Sequence, residues 1–284
     1  MNKIRKDIKH NFLSQIIFRI DYEGLLEKDV ENCVMRMRDM FYESGLKNME
    51  TRTENKVDVQ IKTDLNIPDE NMLSISNNNT SIVYIFTSDE DEIIELGKSF
   101  FTLTINIGKD YKSFDKYIEL LTESVYALKQ TSKYFKALRM GLRKINICFL
   151  KNINEISKYF TKAAFNIEDI CGGYKEYTCP ASNEVTILTG KGFQVNYVRN
   201  IQEGVMQIDG KDQQNAYQIA LDIDVFKESN REILPLLDTE ESIRKLLIDQ
   251  NTVEFEIFLK SLSEYFIEKL KEEKIDDENI IGVN

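Results

Sequence analysis

The chain has 284 residues, with 48 acidic and 37 basic side chains, a formal net charge of −11, one histidine, four cysteines, three prolines and no tryptophan. That length accommodates one large domain or two smaller ones, and 42% hydrophobic with 30% charged residues is the composition of a folding chain. The acidic balance excludes extended nucleic-acid binding, which needs clustered Lys and Arg to displace counterions, and no apolar run reaches the roughly eighteen residues of a membrane helix.

The N-terminal ten residues are basic, and the apolar stretch from Phe12 to Ile20 is interrupted by Ser14, Gln15 and Arg19. It lacks a small-residue cleavage site, so no signal peptide is read and a cytoplasmic protein is expected. From Ile16 to Tyr22 apolar and charged residues alternate, which predicts a strand. Glu27 to Ser44 predicts a helix buried through Val30, Cys33, Val34, Met37, Met40 and Phe41, with Gly45 as its stop. Lys56 to Lys62 predicts a strand, and the Asn-rich stretch from Asn66 to Thr80 a loop. Strands are expected at Ser81–Thr87, Ile93–Leu96 and Phe100–Ile107, joined by turns short enough for antiparallel pairing. A helix from Ser113 to Thr131 follows, with Ser113 as N-cap, and then a strand from Ala137 to Leu150.

A short helix is expected within Asn154–Phe165, then an irregular stretch from Gly172 to Asn183. Four strands follow at Glu184–Leu188, Phe193–Asn200, Val205–Ile208 and Ala216–Phe226, with turns at the Thr-Gly-Lys-Gly segment ending at Gly192 and at Gln202-Glu203-Gly204. A long helix runs from Thr239 to about Lys271, and the charged end from Glu272 to Asn284 is expected to fray. The fold class is therefore α+β, with antiparallel meanders each followed by a long helix. They form two pseudo-repeated halves, 1–150 and 151–284. Exposed helix faces and strand edges make a homo-oligomer natural.

The residues capable of chemistry are few. His10 is the only histidine, it precedes the first clear strand, and it reads as solvated or lightly packed, which leaves no proton relay for a triad or a Cys–His pair. Cys33 and Cys148 read as small buried hydrophobes, and Cys171 and Cys179 match no zinc spacing, so all four thiols are expected to be free. Gly190-Lys191-Gly192 lacks the rest of a phosphate loop. Tyr174 and Tyr177 are exposed aromatics available to a partner. No cofactor is expected.

Two constellations stand out. Asp222 and Asp224 lie two apart on a strand and share a face, as two carboxylates holding magnesium would, with Asp21 or Asp58 as a possible third ligand. Arg139 and Arg143 also share a face, with Gly141 between them. Either the arginines form an anion-binding surface, or they pair with Asp222 and Asp224 on a neighbouring strand and tie the halves together. Lys133, Lys136 and Lys144 could join the arginines in a local basic patch.

The segment from Leu138 to Asn146, the segment from Ile219 to Phe226, and Phe101 to Ile105 followed by Tyr111 resemble a sporadically distributed family of conserved hypothetical prokaryotic proteins. Its members show an Arg-x-Gly-Leu-Arg-Tyr-Ile-Asn strand, a Leu-Asp-x-Asp strand and a long C-terminal helix. Here Lys144 stands in place of the tyrosine, and the histidine usual early in the last helix is missing. The resemblance implies no agreed activity. The family's patchy distribution is similar to that of mobile elements and host–virus conflict systems, and its halves look like export- and antitoxin-chaperones of the SecB kind.

These readings together imply a non-enzymatic protein-binding component of a conflict system (antitoxin-like, chaperone-like or phage-defence related), acting on another protein through a surface that includes Arg139, Gly141, Arg143, Asn146, Asp222 and Asp224. The alternative is a metal-dependent hydrolase or nuclease using Asp222 and Asp224. A third reading is a small-ligand sensor with a pocket between sheet and helix.

Overall fold

The computed structural model describes residues 2–61, 73–89, 91–108, 113–166, 180–206 and 213–283. A short helix α1 (Asn2–Asp7) leads into β1 (Leu13–Glu23), α2 (Glu27–Glu43) and the run β2 (Asn48–Ile61), β3 (Leu73–Thr87), β4 (Glu92–Leu96) and β5 (Phe100–Asn106). After a 3-10 turn at Phe114–Tyr117 come α3 (Ile118–Thr131), β6 (Lys136–Leu150) and the one-turn α4 (Ile156–Tyr159). The rest is β7 (Ala181–Gly190), β8 (Phe193–Met206), β9 (Gln214–Glu228), α5 (Asn230–Ile233), α6 (Glu240–Ser261), α7 (Glu264–Lys269) and β10 (Ile280–Ile281).

The ten strands among the described residues belong to one antiparallel sheet in the order β2-β3-β4-β5-β1-β6-β9-β8-β7, with β10 beside β6. Strand β6 pairs with β1 on one side and β9 on the other, so hydrogen bonding runs unbroken between the N- and C-terminal strands. Helices α2, α3 and α6 pack in a row on one face of the sheet. The core lies between these two layers. Ile16, Phe18, Ile20 and Tyr22 of β1, Met140 and Leu142 of β6, and Leu221, Ile223 and Val225 of β9 all point into it. Alternation puts the intervening residues on the opposite face, which no described helix covers.

Local chemistry explains the element ends. Thr239 caps α6, its hydroxyl accepting from the Ser242 N–H. Ser113 likewise accepts from the Asp115 N–H at the start of the 3-10 turn. Lys191 and Gly192 both adopt positive φ (53° and 76°), the geometry that lets β7 turn tightly into β8. The Tyr22 phenol, buried in the core, donates to the carbonyls of Gly97 and Phe100, both 2.9 Å away or closer.

Four expectations need correction. The Asn-rich loop over 66–80 is β3 from Leu73 onward, because β2 pairs with it on both sides of one bulge and backbone pairing overrides the weak strand propensity of asparagine. The turn at Gln202–Gly204 is absent. Strand β8 continues through it, since breaking there would strand the first residues of β9, where Gly204 faces Ala216. The long C-terminal helix breaks at Leu262, which is extended (ψ 144°). The backbone freed there bonds to Tyr159 and Phe160, and Ser263 caps α7 by accepting from the Phe266 N–H at 3.1 Å. The charged tail does not fray before residue 281. Its β10 occupies the lane beside β6 that β1 leaves beyond Leu13.

Candidate functional site

Strand registers place three rows of side chains across the open face. One row reads Asn106, Gln15, Ile145, Asp222, Val198 and Val185. The next reads Thr104, Ile17, Arg143, Asp224, Asn196 and Ile187. The third reads Thr102, Arg19, Gly141, Phe226, Gln194 and Thr189. Period two in six neighbouring strands therefore gathers the charged residues at the centre of one surface.

Arg143 clasps Asp222 with two parallel bonds, Nε to Oδ1 at 2.7 Å and Nη2 to Oδ2 at 2.5 Å. Arg139 reaches Asp224 Oδ2 at 2.6 Å. Arg139 is opposite Glu228 in register, so its side chain runs diagonally over Gly141 and Phe226 to get there. Its guanidinium sits 4.3 Å from the Phe226 ring centre. A Cβ on Gly141 would lie 3.0 Å from Phe226 Cβ and 3.1 Å from an Arg139 nitrogen. The glycine is thus the channel through which the arginine passes. Arg19 pairs with Asp21 at 2.7 Å and lies over Phe100.

Burial pushes the Asp224 carboxyl above its ordinary pKa, against the opposing pull of Arg139. Hydrogen bonding to Asp222 raises Arg143. Both aspartates are bound to guanidinium groups, Asp21 is bound to Arg19, and no cluster of three His, Cys, Asp or Glu suited to a metal occurs among the described residues. The Asp58 side chain lies outside the described residues. The arrangement is a nearly neutral, pre-organised polar surface whose charges are held in place by one another.

Asn146 does not join this surface. It falls in phase with Met140, Leu142 and Cys148 on the helical side, as does Lys144, and both are buried. Lys144 Nζ donates to Asn251 Oδ1 and Glu254 Oε2 of α6, each at 2.7 Å, and Asn251 Nδ2 donates to Asp115 at 3.1 Å. Gln250 donates to the carbonyls of Met140 and Val225. The anticipated basic patch is accordingly divided: Arg139 and Arg143 face out, Lys144 faces in, and Lys136 pairs with Glu23 at 3.0 Å. The polar residues of α6 had a signal in the sequence, because Gln250, Asn251 and Glu254 occupy its buried stripe between Leu247 and Phe258.

His10 is half-buried, within the lightly packed alternative, and its Nε2 is buried with no hydrogen-bond partner. Cys33 and Cys148 are free and buried, and burial raises both thiols. Cys171, Cys179, Tyr174 and Tyr177 lie outside the described residues. No helix among the described residues is long and apolar enough to cross a membrane.

No protein-family model matches the chain, and no curated protein does. Among solved structures, the chain has a faint likeness to the S. pombe Pct1 RNA triphosphatase in complex with the Spt5 CTD, at 6% identity over 88% of this chain and 83% of that one, with a TM-score of 0.12. A likeness of that size bears on neither fold nor function. The fold and site define an α+β protein with one broad antiparallel sheet, helices on one side, and an ion-paired ladder on the open side.

Proposed function

We propose that the protein is a non-enzymatic binding component of a conflict system, antitoxin-like, chaperone-like or phage-defence related, and that it holds another protein against the open face of its sheet. The observation that supports this is the contrast between the two faces. One is sealed by three helices, whereas the other carries half-buried Ile17, Ile145 and Val198 around a ladder of fixed ion pairs. A surface with its counter-charges already in position loses little side-chain freedom on binding, which favours association over catalysis. The family resemblance carried by Arg139, Gly141, Arg143, Asp222 and Asp224 fits this reading, and the same proposal includes a cytoplasmic location and two meander-plus-helix halves related as a pseudo-repeat.

The test is capture of the tagged chain from its native host at moderate salt, read by mass spectrometry and repeated with Ile145→Lys/Val198→Lys. One stoichiometric protein retained by the wild type and lost by the variant is the expected result. A partner held equally by both would remove the open face from the reading. Recovery of the chain alone with divalent metal would favour a hydrolase using Asp222 and Asp224, whose activity Asp222→Asn would abolish.

A further inference from the structure

On the helical side of the sheet, the N-terminal segment, β6 and α6 enclose a pocket of about 80 Å³. Its apolar wall is Ile8, Leu13, Phe255 and Phe258. A register shift at Ser14 turns Leu13 into this wall opposite Asn146. The N-terminal segment is pinned as a strap. Arg5 donates to the Asn251 carbonyl at 2.9 Å and lies 4.3 Å over Phe255, and the N–H groups of Lys9 and His10 both donate to the Leu270 carbonyl.

Three polar groups in this pocket have capacity to spare. Lys144 has three N–H donors, and Asn251 and Glu254 take two. The Asn146 amide reaches only the Leu221 carbonyl, at a long 3.4 Å. His10 Nε2 has no partner. Buried polar groups are ordinarily satisfied, so three incomplete ones around a single apolar pocket point to a missing head group. Its charge follows from the surrounding pairs. Lys9 is paired with Glu273 and Lys144 with Glu254, while Arg5 is bound only to a neutral carbonyl. One positive charge is left over, in a chain of net charge −11. Its size follows from the volume: an apolar cavity of about 150 Å³ takes benzene, so a pocket of about half that volume takes a smaller molecule.

We propose that this pocket binds a short-chain monocarboxylate. The carboxylate accepts from Lys144, the His10 Nε2–H and the Asn146 amide, and the alkyl chain lies against Ile8, Phe255 and Phe258. Because the pocket is on the opposite side of the sheet from the ion-pair ladder, this site and partner capture stand or fall separately.

The experiment is an NMR titration of the full chain with acetate, using acetamide and methylammonium as neutral and cationic counterparts at matched ionic strength. Acetate is expected to give saturable shifts at the amides of Asn146 and Phe255, with the other two giving none. His10→Ala should weaken acetate by about tenfold, the effect of one lost charge-assisted bond. Ile8→Trp, which fills the pocket from the strap, should abolish saturation while the remaining spectrum stays native. Equal binding of acetate and acetamide, no saturation by acetate, or unchanged affinity in folded His10→Ala would each overturn the assignment.

Discussion

At the residue scale, Gly141 matters for what passes over it. Arg139 crosses that position to reach Asp224, with Phe226 beneath. Gly141→Ala would push a methyl to within 3.1 Å of the guanidinium and 3.0 Å of Phe226 Cβ. The expected cost is about 1–3 kcal/mol, measured as a lower urea midpoint at unchanged m-value, and most of it should vanish in the background of Arg139→Ala. Lys144 and Glu254 give a second prediction. Their side chains are 9% and 2% exposed and 2.7 Å apart. Glu254→Gln leaves a buried ammonium short of its counter-charge and should cost about 3 kcal/mol, whereas Lys144→Met/Glu254→Leu should recover most of that loss. A double-mutant cycle by chemical denaturation reads both, and additive single effects would show that the pair is not coupled. Period two put Arg139 with Arg143 and Asp222 with Asp224, and the apolar residues between them marked the opposite face as core, but the sequence left pairing and anion binding both open until the register of β6 against β9 joined them. Lys144 and Asn146 were harder to read, because a core position occupied by a polar residue is recognisable only once its partner helix is known.

At the element scale, strands and helices with strong periodicity were readable: β1, α2, α3 and β6 each bury one regular face. What could not be read depended on distant chain. Residues 74 and 76–80 are polar and still become strand because β2 pairs along this stretch, and α6 ends because 262–263 bonds to 159–160. The C-terminal tail is the sharpest case, since its composition is that of a fraying end. It is held by Asp277, whose carboxylate accepts from Lys158 Nζ at 3.1 Å, Tyr159 OH at 2.9 Å, Tyr265 OH at 2.8 Å and the Asn279 N–H at 3.1 Å. Burial alone would raise Asp277, but the bonds from Tyr265, Lys158 and Asn279 outweigh it and lower the carboxyl below its ordinary range. The native state therefore favours ionised Asp277. Its contribution is complete above the unfolded carboxylate pKa and is lost as pH falls through the lowered native value. Hydrogen exchange should show protection of Ile280 disappearing in acid, with Ile243 still protected. Asp277→Ala should produce the same pattern at neutral pH, with protection at Ile280 reduced by roughly tenfold or more. Unchanged protection in that variant would mean that β10 is held by its ladder with β6 alone.

At the scale of the whole molecule, a sheet this broad must manage its two terminal strands, and it treats them differently. The β2 edge exposes Glu50 and Arg52, charges that discourage another strand from pairing. The β7 edge exposes Val185 and Ile187, at 63% and 68%, and pairs with β8 without a bulge. Its one charged side chain, Glu184, is tied to Arg199 at 3.2 Å. Among the described residues, no strand pairs with its outer side. Two chains of charge −11 repel over most of their surface, and a neutral, β-branched edge is where that repulsion is least. Antiparallel strands can pair with their own copy about a two-fold axis, so each β7 can complete the other. The expectation is a dimer whose population in sedimentation velocity rises with protein concentration and, as screening grows, with salt. Ile187→Lys places a charge on that edge without touching the core, so it should hold the chain monomeric while changing stability by less than about 0.5 kcal/mol. A wild-type chain that stays monomeric at every concentration, or a variant that dimerises equally well, would show that this edge does not pair with its own copy.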